Sequence, residues 1–378
     1  MRMLAFELLK AAHQCVILGV GDFRPVENVV QMLVVAQFFA EPRDLFLNGR
    51  GRHGYYKGRG LLIGIYQKPV LIYNPAAGKL KRNNQRTLHR TIEALTKAGL
   101  KVTPIATTGP ASAAGLARLA IEQGADLVIA LGGDGTINEI ANGMIGSEVP
   151  LALLPGGTAN CLGIETGMGT NPVKAAAKLL DCIPRRIAAG RVTCGGVDRY
   201  FLSMVGVGLD AQIVSDVNPQ IKKATGKFAY WVAGFRQLGG PLAAFETTVD
   251  GVTRSCGFAL ASRLRNYGGD LEIATSASLL SNRFETLLFE GTNPFLYMGY
   301  MLGVVVRQHK KLPGVGVQAA RVVEFNATSS QVVYVQADGE LVGVLPARVE
   351  ICENALTLLT PSRLADREAR YLTNGSHS

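Results

Sequence analysis

One tryptophan, five histidines and six cysteines are all that 378 residues hold of these types. The cysteines (Cys15, Cys161, Cys182, Cys194, Cys256 and Cys352) are scattered with no C-x-x-C pair, and the histidines do not cluster. That spacing argues against structural zinc and a disulfide framework, and indicates reduced thiols in a cytoplasmic setting. Long apolar runs are missing too. None reaches the roughly 20 residues that span a bilayer. The two best, 29–40 and 295–306, suit buried or interfacial helices. A signal-peptide layout is also lacking, because Lys10, Asp22 and Arg24 interrupt the first apolar stretches. Charged residues make up only 18% of the chain against 48% apolar, a balance that excludes a disordered protein.

What is present has a sign and a rhythm. Thirty-nine Lys and Arg against 29 Asp and Glu leave a net charge of +10, which points to anionic partners: nucleotide, nucleic acid or an acidic lipid surface. The length allows two domains. Residues 1–66 do not resemble the rest and end in the basic, glycine-rich run Asn48-Gly49-Arg50-Gly51-Arg52-His53-Gly54, read as a linker or solvated extension. From residue 67 to about 190, apolar strands at 70–73, 102–106, 127–131 and 151–154 alternate with helical spacing at 88–98, 111–123, 137–144 and 173–180. Such alternation predicts a parallel α/β sheet with ligand loops at the carboxyl ends of its strands. From 191 to 352 short strands dominate (197–202, 244–249, 257–261, 286–290, 315–319, 332–337, 348–351), interrupted by helical stretches at 230–238 and 297–308. This predicts a β-rich sandwich domain, with 353–372 returning to the first domain and a cleft between the two.

Three loops at successive strand ends carry the chemistry. The most informative is Gly132-Gly133-Asp134-Gly135-Thr136-Ile137-Asn138-Glu139, between a strand and a helix. Glycines there let backbone N–H groups approach an anion at the helix start. An aspartate inside such a loop makes sense when a cation bridges it to phosphate, so the run reads as a site for Mg-ATP. Thr136 and Glu139 also fit a capping box, which would fix the helix start. Upstream lies Asn74-Pro75-Ala76-Ala77-Gly78-Lys79, and downstream Gly156-Gly157-Thr158-Ala159-Asn160. In the second half, Asp338-Gly339-Glu340 offers a carboxylate, although Asp-Gly between apolar runs is also a strong hairpin signal.

In this order and spacing, the three loops resemble those of the diacylglycerol kinase catalytic-domain family, which includes soluble bacterial lipid kinases and the sphingosine and ceramide kinases. The likeness continues through Gly206-Val207-Gly208-Leu209-Asp210-Ala211, Asn266-Tyr267-Gly268-Gly269 and Gln336-Ala337-Asp338-Gly339-Glu340, covering about residues 68–360. It implies transfer of the γ-phosphoryl of ATP to a lipid hydroxyl, in phospholipid biosynthesis, by an enzyme peripheral to the membrane. By the same resemblance, Asn74, Pro75, Ala76, Ala77 and Gly78 would lie along the phosphates, and Thr107 and Thr158 would touch nucleotide. Gly132, Gly133, Asp134, Gly135 and Thr136 would form the phosphate and magnesium loop, with Asn138, Glu139, Gly157 and Asn160 lining the pocket. The proton acceptor would be Asp338 or Glu340, and Asp210 would stand near the cleft. Many bacterial relatives hold a second, structural magnesium through an acidic residue after an Ala-x-Leu run. Here Ala277-Ser278-Leu279-Leu280 leads to Ser281-Asn282-Arg283, which puts that metal in doubt.

Nucleic acid is not an expected partner; a homodimer is left open, as is the identity of the lipid. Two competing readings are a kinase of a soluble acceptor, since NAD kinases share the Gly-Gly-Asp-Gly core, and a nucleotide-responsive binding protein without catalysis.

Overall fold

The structure, a computed structural model, describes residues 66–82, 84–209, 211–212, 242–268 and 271–368, all within one compact unit. Residues 1–65, the helix expected at 230–238 and Asp210 lie outside the described residues.

The first half is a parallel sheet with helices on both faces. Strands β1 (Pro69–Tyr73), β2 (Thr103–Ala106), β3 (Leu127–Gly132) and β4 (Leu151–Pro155) stand in the order β4-β3-β1-β2 and all pair in parallel. Sheets covered on both faces carry unbroken apolar strands, and every residue of β3 and β4 is buried. Alternate residues serve opposite cores. Val128 and Ala130 join Ile137 and Ile140 in one core, whereas Leu127, Ile129 and Leu131 join Leu71, Leu95 and Ala175 in another.

The helices of this half include α1 (Gly78–Arg82), α2 (Asn84–Lys97), α3 (Ser112–Glu122), α4 (Asp134–Met144), α5 (Cys161–Glu165) and α6 (Pro172–Lys178). Asn171 caps α6 by accepting hydrogen bonds from the Val173 and Lys174 amides, with proline at its first turn. Helices α3 and α4 pack closely because small residues face each other. A Cβ on Gly143 would meet the Ala114 backbone.

The second half is antiparallel and β-rich. It holds β5 (Cys182–Cys194), β6 (Val197–Phe201), β7 (Met204–Gly208), β8 (Phe245–Val249), β9 (Val252–Ser262), the short pair β10 (Asn266–Tyr267) and β11 (Leu271–Glu272), and β12 (Phe284–Glu290). After helix α7 (Pro294–Val305) come β13 (Val315–Ala320), β14 (Val322–Ala327), β15 (Tyr334–Ala337), β16 (Glu340–Val344) and β17 (Ala347–Pro361). Stacked and edge-on phenylalanines, Phe201 on Phe284 and Phe245 against Phe325, fill its core.

The halves share one strand pair. Strands β5 and β17 run antiparallel over most of their lengths, from Ala347 opposite Cys194 to Pro361 opposite Cys182. Residue 190, where the sequence rhythm changes, therefore lies inside a continuous strand. The other expected boundary, near 352, coincides with a bulge between Cys352 and Leu356, where Asn354 takes a positive φ of 50°. Past that bulge, Leu358 pairs in parallel with Leu151 of β4, so the strand that closes the sandwich also extends the parallel sheet.

Candidate active site

The three glycine loops meet at the carboxyl end of the parallel sheet. The Asn74 amide N–H donates to Leu131 O at 3.0 Å, and Gly156 N–H to Gly132 O at 2.7 Å. Lys79 N–H bonds Gly156 O at 3.0 Å, which draws the first loop onto the third. Thr107 follows β2 and donates its amide to Tyr73 O at 2.9 Å, placing it beside the first loop. The glycines are required by proximity. A Cβ on Gly157 would stand 2.5 Å from the Gly133 Cα, and one on Gly132 2.7 Å from the Thr136 Cβ. A Cβ on Gly78 would come within 3.3 Å of Oγ1 of the exposed Thr158.

The helix start at the centre of these loops differs from the capping box in the sequence. Helix α4 begins at Asp134, with Gly133 as its N-cap (φ −82°, ψ 175°) and no side-chain cap. Thr136 lies inside the first turn, where its hydroxyl accepts from the Asn74 amide group at 3.0 Å. Asn74 also accepts from the Ala76 N–H at 2.8 Å, which fixes the Asn74-Pro75-Ala76-Ala77-Gly78 turn. Glu139 faces another helix and accepts from Ala113 N–H at 3.2 Å. No Thr136–Glu139 box forms. Its absence leaves α4 with no N-cap side chain over its first turn, a condition that favours binding an anion there.

Two more expected ligands have structural work of their own. The Asp134 carboxylate accepts from Leu162 N–H at 3.2 Å, at the start of α5. Burial raises its pKa, opposed by the amides of Cys161, Leu162 and Asn160. Asn160, left-handed at φ 52°, is buried and staples its own loop, accepting from Gly157 N–H and donating to Gly157 O.

The second half brings its carboxylates to this point. Asp338 and Gly339, at φ 52° and 83°, form a two-residue turn between β15 and β16. The hairpin reading holds, and this turn brings Glu340 to the Gly132–Gly135 loop: Glu340 Oε1 lies 3.1 Å from the position of a Cβ on Gly135. Its other oxygen is paired with Arg199 Nη2 at 2.6 Å.

Asp338 is held differently. It accepts from the amides of Leu202, Ser203 and Met204 at 2.9–3.0 Å. With the Asn138 amide in the orientation its neighbours satisfy, Asn138 donates to Asp338 Oδ2 at 3.2 Å and accepts from Arg199 at 3.3 Å. Burial pushes the Asp338 pKa up to about 6, against the pull of those amides and of Arg199. Asn142 completes the junction, donating to Tyr200 O at 2.8 Å and accepting from Tyr200 N–H at 3.0 Å. Arg199, Asn142 and Tyr200 were not legible as site residues. No motif marks them; helix α4 and strand β6 meet only in three dimensions.

A family implication for metal tests unevenly against these residues. Among the described residues no group of three or more His, Cys, Asp or Glu could hold a metal. At the glycine loops, however, the donor chemistry suits an ion carried in by phosphates, which needs only one or two protein carboxylates. Asp134 and Glu340 are the carboxylates there. At residues 279–281 the fit fails. Ser281 supplies no carboxylate, and the Leu279 and Ser281 carbonyls already accept from Arg263 at 2.7 and 3.2 Å.

Residues 68–192 match the sequence model of the diacylglycerol kinase catalytic domain, and residues 203–360 that of the YegS C-terminal NAD kinase beta sandwich-like domain. The chain belongs to the diacylglycerol kinase catalytic-domain family. Similar proteins include a diacylglycerol kinase of Staphylococcus saprophyticus, 27% identical over 306 residues that span 79% of this chain and 97% of the relative. Another, from Staphylococcus aureus (strain MRSA252), is 27% identical over 314 residues, spanning 81% and 96%. A crystal structure of a diacylglycerol kinase from Bacillus anthracis str. Sterne superposes with a TM-score of 0.62 at 20% identity, covering 79% of this chain and 99% of that one. That likeness confirms the two-part fold: parallel α/β strands followed by a β sandwich.

Proposed function

We propose that this chain is an ATP-dependent kinase that transfers the γ-phosphoryl group to the hydroxyl of a lipid. The observation that carries the reading is the approach of Glu340 to Gly135, which sets a carboxylate from the β-rich half over an anion-binding helix start in the other. Phosphoryl transfer needs positioning and charge stabilisation more than covalent help. Backbone amides at Gly133, Gly135 and Gly157 would cradle the phosphates, with Asn74, Thr107 and Thr158 at their rim. Magnesium would enter with the nucleotide, beside Asp134 and Glu340, and would neutralise charge on the phosphates.

The proton of the acceptor hydroxyl goes to the Asp338–Glu340 pair. Glu340 is the member with an oxygen open to the loop; Asp338, whose acceptor positions are filled by amides and Asn138, is made more basic than an ordinary aspartate by burial. Geometry is weighed before basicity, which assigns Glu340 to the hydroxyl and Asp338 to holding the turn. Asp338→Asn should then perturb KM and stability along with kcat, whereas Glu340→Gln should lower kcat in a well-folded protein.

A membrane-surface acceptor is supported by helix α7. Tyr297 and Tyr300 are buried and bond backbone carbonyls, whereas Phe295, Met298, Leu302 and Val305 form an exposed stripe. Arg307 and Lys311 follow directly. A helix of 12 residues is about 18 Å long, too short to cross a bilayer but suited to lying in its interface. Among the described residues no helix is long and apolar enough to cross a membrane.

The second reading, a soluble acceptor such as NAD, draws on the NAD kinase-like description of the sandwich domain. Incubating the protein with labelled Mg-ATP and either lipid vesicles or NAD separates the readings. Label in an extracted lipid supports the proposal. Label in the dinucleotide, or in neither, overturns it.

A further inference from the structure

Arg263, directly after β9, is the largest side chain among the described residues with no exposed surface. Among the described residues it makes no ion pair. Its guanidinium instead faces the segment 277–283, donating from Nη2 to Leu279 O at 2.7 Å and from Nη1 to Ser281 O at 3.2 Å. Burial lowers its pKa to about 10, which still leaves it charged at neutral pH; the charges of Glu368 and Asp338 act in the opposite sense. A desolvated cation is costly unless oxygen acceptors surround it. Two convergent main-chain carbonyls are the donor set that a hard metal cation takes.

The segment it holds is tied on both sides. Ser281 N–H bonds Ser278 O at 3.1 Å, and the Ser281 hydroxyl accepts from Arg283 N–H at 3.1 Å. The Ser278 hydroxyl donates to the buried Glu368 carboxylate. Arg263 also reaches the catalytic junction through its backbone: its N–H donates to Ser203 O at 2.8 Å, and Ser203 N–H donates to Asp338.

We propose that the Arg263 guanidinium is a built-in cation that holds segment 277–283 where relatives in this family use a structural magnesium, so that this chain takes metal only with its nucleotide. The proposal rests on the family assignment but not on catalysis, and its test reads stability rather than turnover. Arg263 is a positioning residue in this account.

The experiment is thermal unfolding of the full, nucleotide-free chain in EDTA and in excess MgCl2. Wild type should melt at the same temperature in both. Arg263→Ala should melt lower by about 5 °C or more, from loss of a buried hydrogen-bonded cation, and magnesium should not restore it. Arg263→Ala combined with Ser281→Asp restores a carboxylate and vacates the carbonyls, so magnesium should raise its melting temperature. Arg263→Lys, which keeps the charge with fewer donors, should fall between wild type and Arg263→Ala. A wild-type melting temperature that rises with magnesium alone overturns the proposal, as does a double variant that ignores magnesium. If Arg263→Ala does not fold, the wild-type titration and Arg263→Lys decide: a lysine variant stabilised by magnesium would show a metal site that the guanidinium does not replace. Loss of kinase activity with these melting results intact would count against the functional reading alone.

Discussion

The parallel half and the β-rich half build their share of the site from opposite materials. Around Gly133 and Gly157 the first half withholds side chains, so two backbones pass within contact and the start of α4 stays open. Around Asp338 and Arg263 the second half does the reverse, using buried charged side chains to hold backbone: three amides on one carboxylate, two carbonyls on one guanidinium. A ligand of high negative charge is met by bare amides, which need no desolvation of a side chain. A carboxylate that must keep its place needs a rigid, hydrogen-bonded seat. The comparison implies that substitutions in the two halves should fail in different ways.

The largest expected effect is on the carboxylates. Glu340→Gln should lower lipid phosphorylation by about 10²–10⁴-fold, the usual weight of a general acid–base group, and Asp338→Asn should lower it less, by loosening the turn that aims Glu340. Full activity in both variants would end the assignment. Asp338 also sets a pH window. Its pKa is raised from 3.8 to about 6, so its charged form is disfavoured in the fold. Its contribution to stability is thus complete below about 4 and is lost as pH rises through about 6. Activity runs the other way, since only the ionised Asp338 accepts fully from the three amides that hold the turn aiming Glu340; kcat should fall as pH drops below about 6, and Asp338→Asn should shift or abolish that limb. A flat profile from pH 5 to 8 would show that Asp338 does not titrate in the working enzyme.

Next come the glycines. Gly157→Ala forces a methyl group against the Gly133 backbone, at a cost of about 1–3 kcal/mol from overpacking, and should weaken ATP binding more than tenfold in a calorimetric titration. Unchanged affinity would mean that the loops have room the structure does not show.

A smaller effect is expected at the membrane face. Phe295→Ser with Leu302→Ser should reduce binding to vesicles containing anionic lipid several-fold without lowering the melting temperature, because both side chains are exposed. Equal vesicle binding would remove helix α7 from the account. Added salt should also reduce wild-type activity on such vesicles.

The smallest is a control within the parallel half. Gly115 lies exposed in α3, and a Cβ there meets nothing within 4 Å. Gly115→Ala should therefore stabilise the protein by about 0.5–1 kcal/mol through helix propensity, with activity intact. A loss of stability would show that crowding is not what distinguishes Gly157.

Much of the parallel half was legible because its strands are buried on both faces and its helices keep a clear period. Residues 127–131 and 151–154 needed no tertiary information to be read as strands, and the structure extends each by one residue. The start of α4 was read three residues late, since Gly133-Asp134-Gly135 carries no helical propensity; the open N-terminus is set by the loops packed around it. Strand β5 was missed for a related reason. Ile183, Pro184, Arg185 and Arg186 break any alternation, and 13 residues stay extended only because β17 pairs along most of them.

The sequence by itself determined the parallel α/β layout, the order of the glycine loops and the presence of a carboxylate pair at an Asp-Gly turn. These follow from local periodicity and from residues whose conformational range is intrinsic. Only the tertiary structure decided which members of those motifs stay open and which are tied up by neighbours. It committed Asp134, Glu139 and Asn160 to neighbouring amides, turned Glu340 toward Gly135, and recruited Arg199 and Arg263, which no motif marks. The reason is physical: a hydrogen bond to a buried amide or carbonyl is worth making wherever the fold brings one within reach, and that partner is distant in sequence.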